Sequence, residues 1–375
     1  MAEAHSALLY MMDTMSQWLQ FLTQQGALFG ADSDTGADAD VLDFGTADNT
    51  GGTTAASGRD FFAPLNQLGL IAASGDEAAR FLHSQLTSDV EHLTPSEARL
   101  AGYCTPKGRL LATLLIWRTA DAILLQVPRS LLAPLQKRLQ MFVLRAKVKL
   151  ADISDQHVVL GLAGIQASAA LHDWFPQLPD VPYALAQSDA GILIRLADAA
   201  NAPRYQWITS IQRAREAWPL LAKNLTPVGA PAWRLTEIRA GVPHITPATQ
   251  EQFVPQMINY EIIGGVNFRK GCYPGQEIVA RSQYLGKLKR RMLPASVASL
   301  EARAGMEVFS SLDPGQPCGR IVNAERSGAE QMDCLVELKL AALKDGSIHL
   351  GSASGPQLTI GTLPYALPET NPAAS

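Results

Sequence analysis

Residues 262–285 read IIGGVNFRKGCYPGQEIVARSQYL, and the way this stretch folds decides how the rest of the chain is understood. Gly264-Gly265 make a turn, and Val266 to Phe268 run briefly extended. Pro274-Gly275 suits either a tight turn or the first positions of a helix. Good helix formers fill Glu277 to Leu285, and Glu277 falls in the first turn, where a negative charge is favoured. Cys272 is thus expected just ahead of a helix N-terminus, with Arg269 and Lys270 close by. All three influences favour thiolate over thiol. A cysteine held by Gly271 and Gly275 on a cationic loop suits a nucleophile, a redox centre or a ligand for a soft metal or cluster. The bland alternative is a small buried hydrophobe. The flanking Lys270, Gly271, Tyr273 and Pro274 suit a surface loop better than a core strand.

The loop opens a basic stretch. Between Arg269 and Arg291 stand seven cations (Arg269, Lys270, Arg281, Lys287, Lys289, Arg290, Arg291) and one acid, Glu277. Such a surplus is able to draw phosphate, a polyglutamylated folate tail or RNA. Only Tyr273 and Tyr284 are interleaved with it, which argues against a stacking platform for single strands. A solvated face leading into the next module is the plainer reading.

Upstream, Ser74 and Glu77 resemble a capping box opening a helix through Phe81, Leu82 and Leu86. Residues 110–117 and 121–127 read as a strand pair. Leu131, Leu135 and Leu139 recur along a helix that begins near Ser130. Strands are expected at 146–150, 157–162, 191–196 and 205–211, with helices near 212–224 and from Trp233. Beyond Leu293 short strands alternate with turns at 306–310, 318–325, 332–340 and 347–350, as in a small all-β module. Strands interrupted by helices, then a β-rich end, make an α+β protein. No glycine-rich nucleotide fingerprint occurs.

The first 59 residues differ from the rest. They hold eight acids and one base, a balance of −7 in a chain whose total is −4, so the body is mildly basic. Leu8, Leu9, Met11, Met12, Met15, Trp18, Leu19 and Leu22 form a loosely amphipathic helical run. Residues 30–59 are mostly Ala, Asp, Gly, Ser and Thr, which reads as a flexible linker. The expected organisation is therefore a helix plus disordered linker over 1–59, a body over 60–290, a β module over 291–366 and a tail over 367–375. Four scattered cysteines (Cys104, Cys272, Cys318, Cys334) form no zinc-type cluster or disulfide framework. No metal site is expected, and a reducing cytoplasm suits them. Residues 1–29 lack signal-peptide features, and no apolar run reaches the roughly 18 residues that span a bilayer.

Several segments then resemble one family. KGCYPGQEIVAR at 270–281 matches the KGCYxGQE motif of the YgfZ family at each fixed position. WRLTEIRAGVPHITP at 233–247, Phe253-Val254-Pro255-Gln256 and Gly264-Gly265 fall where that family has comparable segments. So do GDEAARFLHSQLTSDV at 75–90 and CTPKGR at 104–109. The likeness covers roughly residues 64–365. It implies a fold similar to the glycine cleavage T-protein, an aminomethyltransferase, with three subdomains around a central channel for tetrahydrofolate and a C-terminal β-barrel. It also implies support of iron–sulfur enzymes, including one that methylthiolates tRNA, so the implied partners are such clients or cluster-assembly factors. Direct nucleic-acid binding is not implied. Within the motif, Lys270 would depress the Cys272 thiol, Gly271 and Gly275 would shape the loop beside Tyr273, and Gln276 and Glu277 would brace it. Trp233 and Leu68 match positions of aromatic folate contacts, although leucine stacks less well. The aspartate pair of T-proteins corresponds here to Ala112 and Thr113, and RYQWI at 204–208 carries no pterin-holding carboxylate. A folate-dependent one-carbon transferase is the alternative, and the missing carboxylates count against it. Cys104 reads as a structural residue entering a core strand.

Overall fold

The computed structural model describes residues 15–30, 40–45, 60–284 and 288–368. They divide into two compact units. The first comprises the described residues up to Gly75 with Leu93–Ala98 and Trp117–Thr236. The second comprises Asp76–His92, Arg99–Ile116 and the described residues from Glu237 onward. The expected boundary near 290 therefore marks the start of the β module but is not where the two units part.

In the first unit a six-stranded sheet runs in the order Leu185–Ser188, Gly191–Ala199, Ala202–Thr209, Val158–Ala163, Phe61–Pro64, Thr226–Pro227. Neighbours are antiparallel except the last pair, which is parallel. Alternation along Ala202–Thr209 sends Tyr205 and Trp207 to one face and Arg204 and Gln206 to the other. The first face is covered by the helix Ile211–Leu221, whose Ala214, Ala217 and Trp218 are buried with Phe62, Leu160, Leu162 and Trp207. Ser210 caps that helix by accepting from the Arg213 amide at 3.2 Å. A separate antiparallel set places Leu68–Ser74 between Ala122–Pro128 and Lys149–Asp152. The helix Arg129–Val143 lies so close to it that a Cβ on Gly69 would stand 2.4 Å from Leu132.

The N-terminal segment departs from the expectation in one part, residues 40–45. Residues 15–24 are helical, and Trp18 and Leu22 are fully buried in the same core as Trp218. Trp18 lies 6.0 Å edge-on to Trp218 and donates from its indole to Asn66 at 3.2 Å. Leu28–Phe29 pairs with Val41–Asp43, and Asp40 accepts from Arg234 at 2.7 Å. Residues 40–45 are thus structured rather than part of a linker. Three apolar side chains, Val41, Leu42 and Phe44, were hidden among small and acidic neighbours, too few to show a period. Of the expected helix and linker, residues 1–14, 31–39 and 46–59 lie outside the described residues, as does most of the expected tail.

In the second unit a closed six-stranded barrel runs Arg290–Val297, Met332–Lys339, Asp313–Arg326, Glu307–Ser310, Ile348–Leu350, Gln357–Ile360. Val308, Ile321, Cys334, Val336 and Leu338 fill it. The first and last of these strands were not anticipated; charges at the start of one and the shortness of the other conceal them. Ahead of the barrel lie the helices Ala78–Gln85 and Gln276–Tyr284 and most of the strands Ala98–Cys104 and Leu110–Arg118. The expected capping box is absent. Ser74 ends a strand, Gly75 turns the chain at φ +108°, and Glu77 makes no side-chain cap.

Candidate functional site

Thr87 shows why the loop around Cys272 sits where it does. Its buried hydroxyl donates to the Gly265 carbonyl at 2.5 Å and accepts from the Gly102 amide at 2.6 Å. Its carbonyl receives the Asn267 amide at 2.9 Å. One threonine so joins three stretches far apart in sequence. The segment Phe253–Gln256 adds two braces. The Phe253 carbonyl receives the Leu110 amide at 2.8 Å, and the Gln256 side chain donates to the Val279 carbonyl at 2.8 Å.

From there the chain enters Lys270, which is 9% exposed. Its ammonium donates to the His83 carbonyl and, at 2.7 Å, to the Leu86 carbonyl. These oxygens belong to the C-terminal end of Ala78–Gln85, where carbonyls have no helical partner and cations are favoured. The same ammonium stands 4.9 Å from the Tyr273 ring centroid. Burial lowers its pKa to about 8, against the opposing charges of Asp89, Glu91 and Cys272. Its hydrogen bonds anchor the loop to a helix end, and its charge acts on Cys272 as well.

Cys272 itself is exposed and free, whereas Cys104, Cys318 and Cys334 are buried. It precedes the helix Gln276–Tyr284 by four residues. Tyr273 is buried, and its hydroxyl has no hydrogen-bond partner among the described residues. Burial raises its pKa, with the Cys104 charge adding to the effect. Gly275 adopts φ +82°, and a Cβ there would lie 2.4 Å from the Thr105 carbonyl and 2.6 Å from the Gly108 nitrogen. A glycine is required on both counts. The KGCYPGQE and CTPKGR segments, separate in the sequence, therefore meet backbone to backbone. Gly271 is different: a Cβ would rest 3.4 Å from the His83 ring, an ordinary contact.

The expected brace by Gln276 and Glu277 takes another form. The Gln276 amide donates to the Tyr273 carbonyl at 3.1 Å. The Glu277 carboxylate is 84% exposed and faces Arg281 at 3.5 Å, one helical turn on, so it is solvated rather than structural. The basic stretch is also less available than its composition suggests. Arg290 is paired with the buried Glu337, and Arg291 bonds Glu261 at 2.5 Å. Lys287 lies outside the described residues.

Trp233 and Leu68 belong to the first unit. Trp233 is 2% exposed in the helix Ala230–Arg239. Its benzo ring lies against Gly161, where a Cβ would come within 2.5 Å, and Arg204 stands 5.2 Å from its centroid. The indole is packed by the protein's own groups, as an anchor of its helix. Leu68 is half-buried opposite Pro128 at the start of Leu68–Ser74. Gln206 was not anticipated. It is 4% exposed, sits opposite Gly161 in the register and so shares its face with Trp233, and its Oε1 has no partner among the described residues. His83 and Asp89 were also missed, although both stand within a segment the sequence reading had singled out. Ala112 and Thr113 are buried, and the Thr113 hydroxyl accepts from the Ile245 amide at 3.0 Å. Cys104 is buried in its strand, its thiol pushed up to about 12 by burial.

No family model matches the chain. Its curated relatives include the tRNA-modifying protein YgfZ of Edwardsiella ictaluri, 31% identical over 79% of this chain and 89% of the relative. The proteins of the same name from Klebsiella pneumoniae and Colwellia psychrerythraea are each 31% identical, over 81% and 82% of this chain and 92% and 94% of theirs. Among solved structures, the glycine cleavage aminomethyltransferase T of Bartonella henselae superposes with a TM-score of 0.72 at 17% identity, covering 92% of this chain and 95% of that one. The α+β fold with its closed C-terminal barrel is therefore that of the T-protein. By its identity to these relatives over most of its length, the chain belongs to the YgfZ family.

Proposed function

We propose that this chain is a folate-binding accessory protein that supports the assembly or repair of iron–sulfur enzymes, tRNA-methylthiolating ones among them, with Cys272 as its reactive group. One observation carries the reading: of four free cysteines only Cys272 is exposed, on a loop anchored by Lys270, Tyr273 and Gly275. A buried thiol at about 12 stays protonated and inert, as Cys104 does. An exposed thiol next to a buried ammonium is open to a client. The relatives' name, tRNA-modifying protein, supports a role in that process. Thiols with no disulfide partner suit action in a reducing cytoplasm.

The fit of a folate is testable on the first unit. Gln206 holds a buried acceptor without a partner among the described residues, on the face that the Trp233 indole covers. A pterin ring offers amino and ring N–H donors that match such an acceptor, and buried polar atoms favour a partner strongly. Trp233 would bound the site by its edge, since its face is packed, and Leu68 would add an apolar contact. When bound, tetrahydrofolate supplies a one-carbon carrier or a reductant. The alternative of aminomethyl transfer lacks a carboxylate at Ala112 and Thr113 to handle the amine proton.

The test uses cells lacking the protein, complemented with wild type or Cys272→Ala, and measures the fraction of methylthiolated tRNA. Rescue by wild type alone is expected; equal rescue by the variant would refute the role of the thiol. Separately, Gln206→Leu should weaken tetrahydrofolate binding by about tenfold or more, read by calorimetry. Unchanged affinity would remove Gln206 from the site.

A further inference from the structure

His83, in the last turn of Ala78–Gln85, has its side chain 12% exposed and is bonded at both ring nitrogens. Nδ1 lies 3.1 Å from Asp89 Oδ1 and 3.9 Å from Glu91 Oε2. Nε2 receives the Gly271 amide at 3.3 Å. The carboxylate places the proton on Nδ1, which leaves Nε2 as the acceptor that Gly271 needs; the Glu91 amide, 3.5 Å from Nδ1, is at the limit of bonding. Asp89 is itself held. Burial raises its carboxyl, but hydrogen bonds from the His92 ring and amide, with the charges of His92 and His83, bring it below the ordinary value. His83 thus touches the cysteine loop twice, through its ring at Gly271 and through its carbonyl at Lys270. The loop's function as described uses neither Asp89 nor the ring.

We infer that His83, oriented by Asp89, is a positioning residue for Cys272, holding the Gly271 amide while neutral and placing a positive charge beside the thiol when protonated. The inference rests on Cys272 being the reactive group. Its physical content is an exchange of acceptor for donor. Neutral Nε2 fixes the peptide that leads into Cys272. A proton taken from solvent occupies the same lone pair, so the Gly271 amide is released and the imidazolium stands against the residue that precedes Cys272. A cation so placed favours thiolate over thiol. Asp89 and Glu91 favour the imidazolium, Lys270 opposes it, and His92 acts on it through Asp89.

The experiment is alkylation of the native full-length chain by iodoacetamide between about pH 5 and 9, spanning the histidine and thiol ranges, with each cysteine followed by peptide mass spectrometry. His83→Gln retains a side-chain oxygen for Gly271 but cannot titrate. The wild-type rate at Cys272 should show an inflection that His83→Gln lacks and, at about pH 6, exceed that of His83→Gln about fivefold, with the two converging at alkaline pH. Asp89→Asn, which retains the shape but not the charge, should shift that inflection to lower pH. Superimposable profiles for all three proteins overturn the inference and leave the reactive cysteine intact. A Cys272 that labels no faster than Cys104, Cys318 and Cys334 overturns the reading on which it rests. Should His83→Gln fail to fold, the Asp89→Asn profile decides: an unshifted inflection refutes the inference.

Discussion

Cys104 and Cys272 stand in similar company, each within two or three residues of a lysine and a glycine, yet the fold gives them opposite chemistry. Cys104 ends a strand, is 2% exposed and is held by burial near pKa 12. Cys272 sits on a non-helical loop, exposed, within reach of solvent. The lysines differ as well. Lys107 is exposed on its turn, whereas Lys270 is buried and tethers its loop to the end of a helix. The difference teaches that a cation near a cysteine in sequence says little until burial is known. Desolvation of a thiol outweighs a neighbouring charge when water is excluded.

The strongest way to break this contrast is differential labelling. Cys272 should react with a small alkylating reagent about a thousandfold faster than Cys104, which must wait for local opening. Comparable rates in the folded protein would abolish the distinction. Next comes the joint between the two segments. Gly275→Ala forces a side chain toward the Thr105 carbonyl at a backbone angle that alanine disfavours. It should lower stability in urea by about 3 kcal/mol, while Gly271→Ala, with an ordinary contact in its way, should cost under about 1 kcal/mol. Equal losses would show that the joint does not shape the loop.

Lys270→Met sharpens the comparison through pH. At neutral pH it removes the donor to two carbonyls and should cost about 1–3 kcal/mol. Because burial lowers the amine from 10.5 to about 8, the folded chain loses this proton first, and the unfolded chain binds more protons between those values. The stability contributed by Lys270 therefore rises as pH climbs from about 8 toward 10.5, and is lowest below that window. The stability difference between wild type and Lys270→Met should widen across it in denaturant titrations; a constant difference would place the amine in water. The smallest effect is expected at Tyr273→Phe. Its hydroxyl is buried without a partner among the described residues, so its removal should change stability by less than about 0.5 kcal/mol or raise it slightly. A large loss would reveal a hydrogen bond made through an ordered water.

Much of this was readable along the chain. The helix Arg129–Val143 follows from Leu131, Leu135 and Leu139 at helical spacing, and the middle barrel strands from short apolar runs between turns. The turn at Pro274-Gly275 leading into Gln276–Tyr284 was also legible, because a proline and glycine followed by helix formers leave few alternatives. Residues 40–45 read as linker because their three apolar side chains stand among small and acidic neighbours, and the burial of Trp18 depends on Trp218, two hundred residues away.

Local pattern thus supplied the elements and marked Cys272 as the residue to watch, since periodicity, turn chemistry and charge act between near neighbours. Whether that cysteine faced water, which way Lys270 pointed, and that His83 and Asp89 stood behind the loop were settled by packing. Each of those facts depends on hydrogen bonds between groups roughly 160 to 190 residues apart. No short-range rule contains such bonds, because their partners are distant in the sequence.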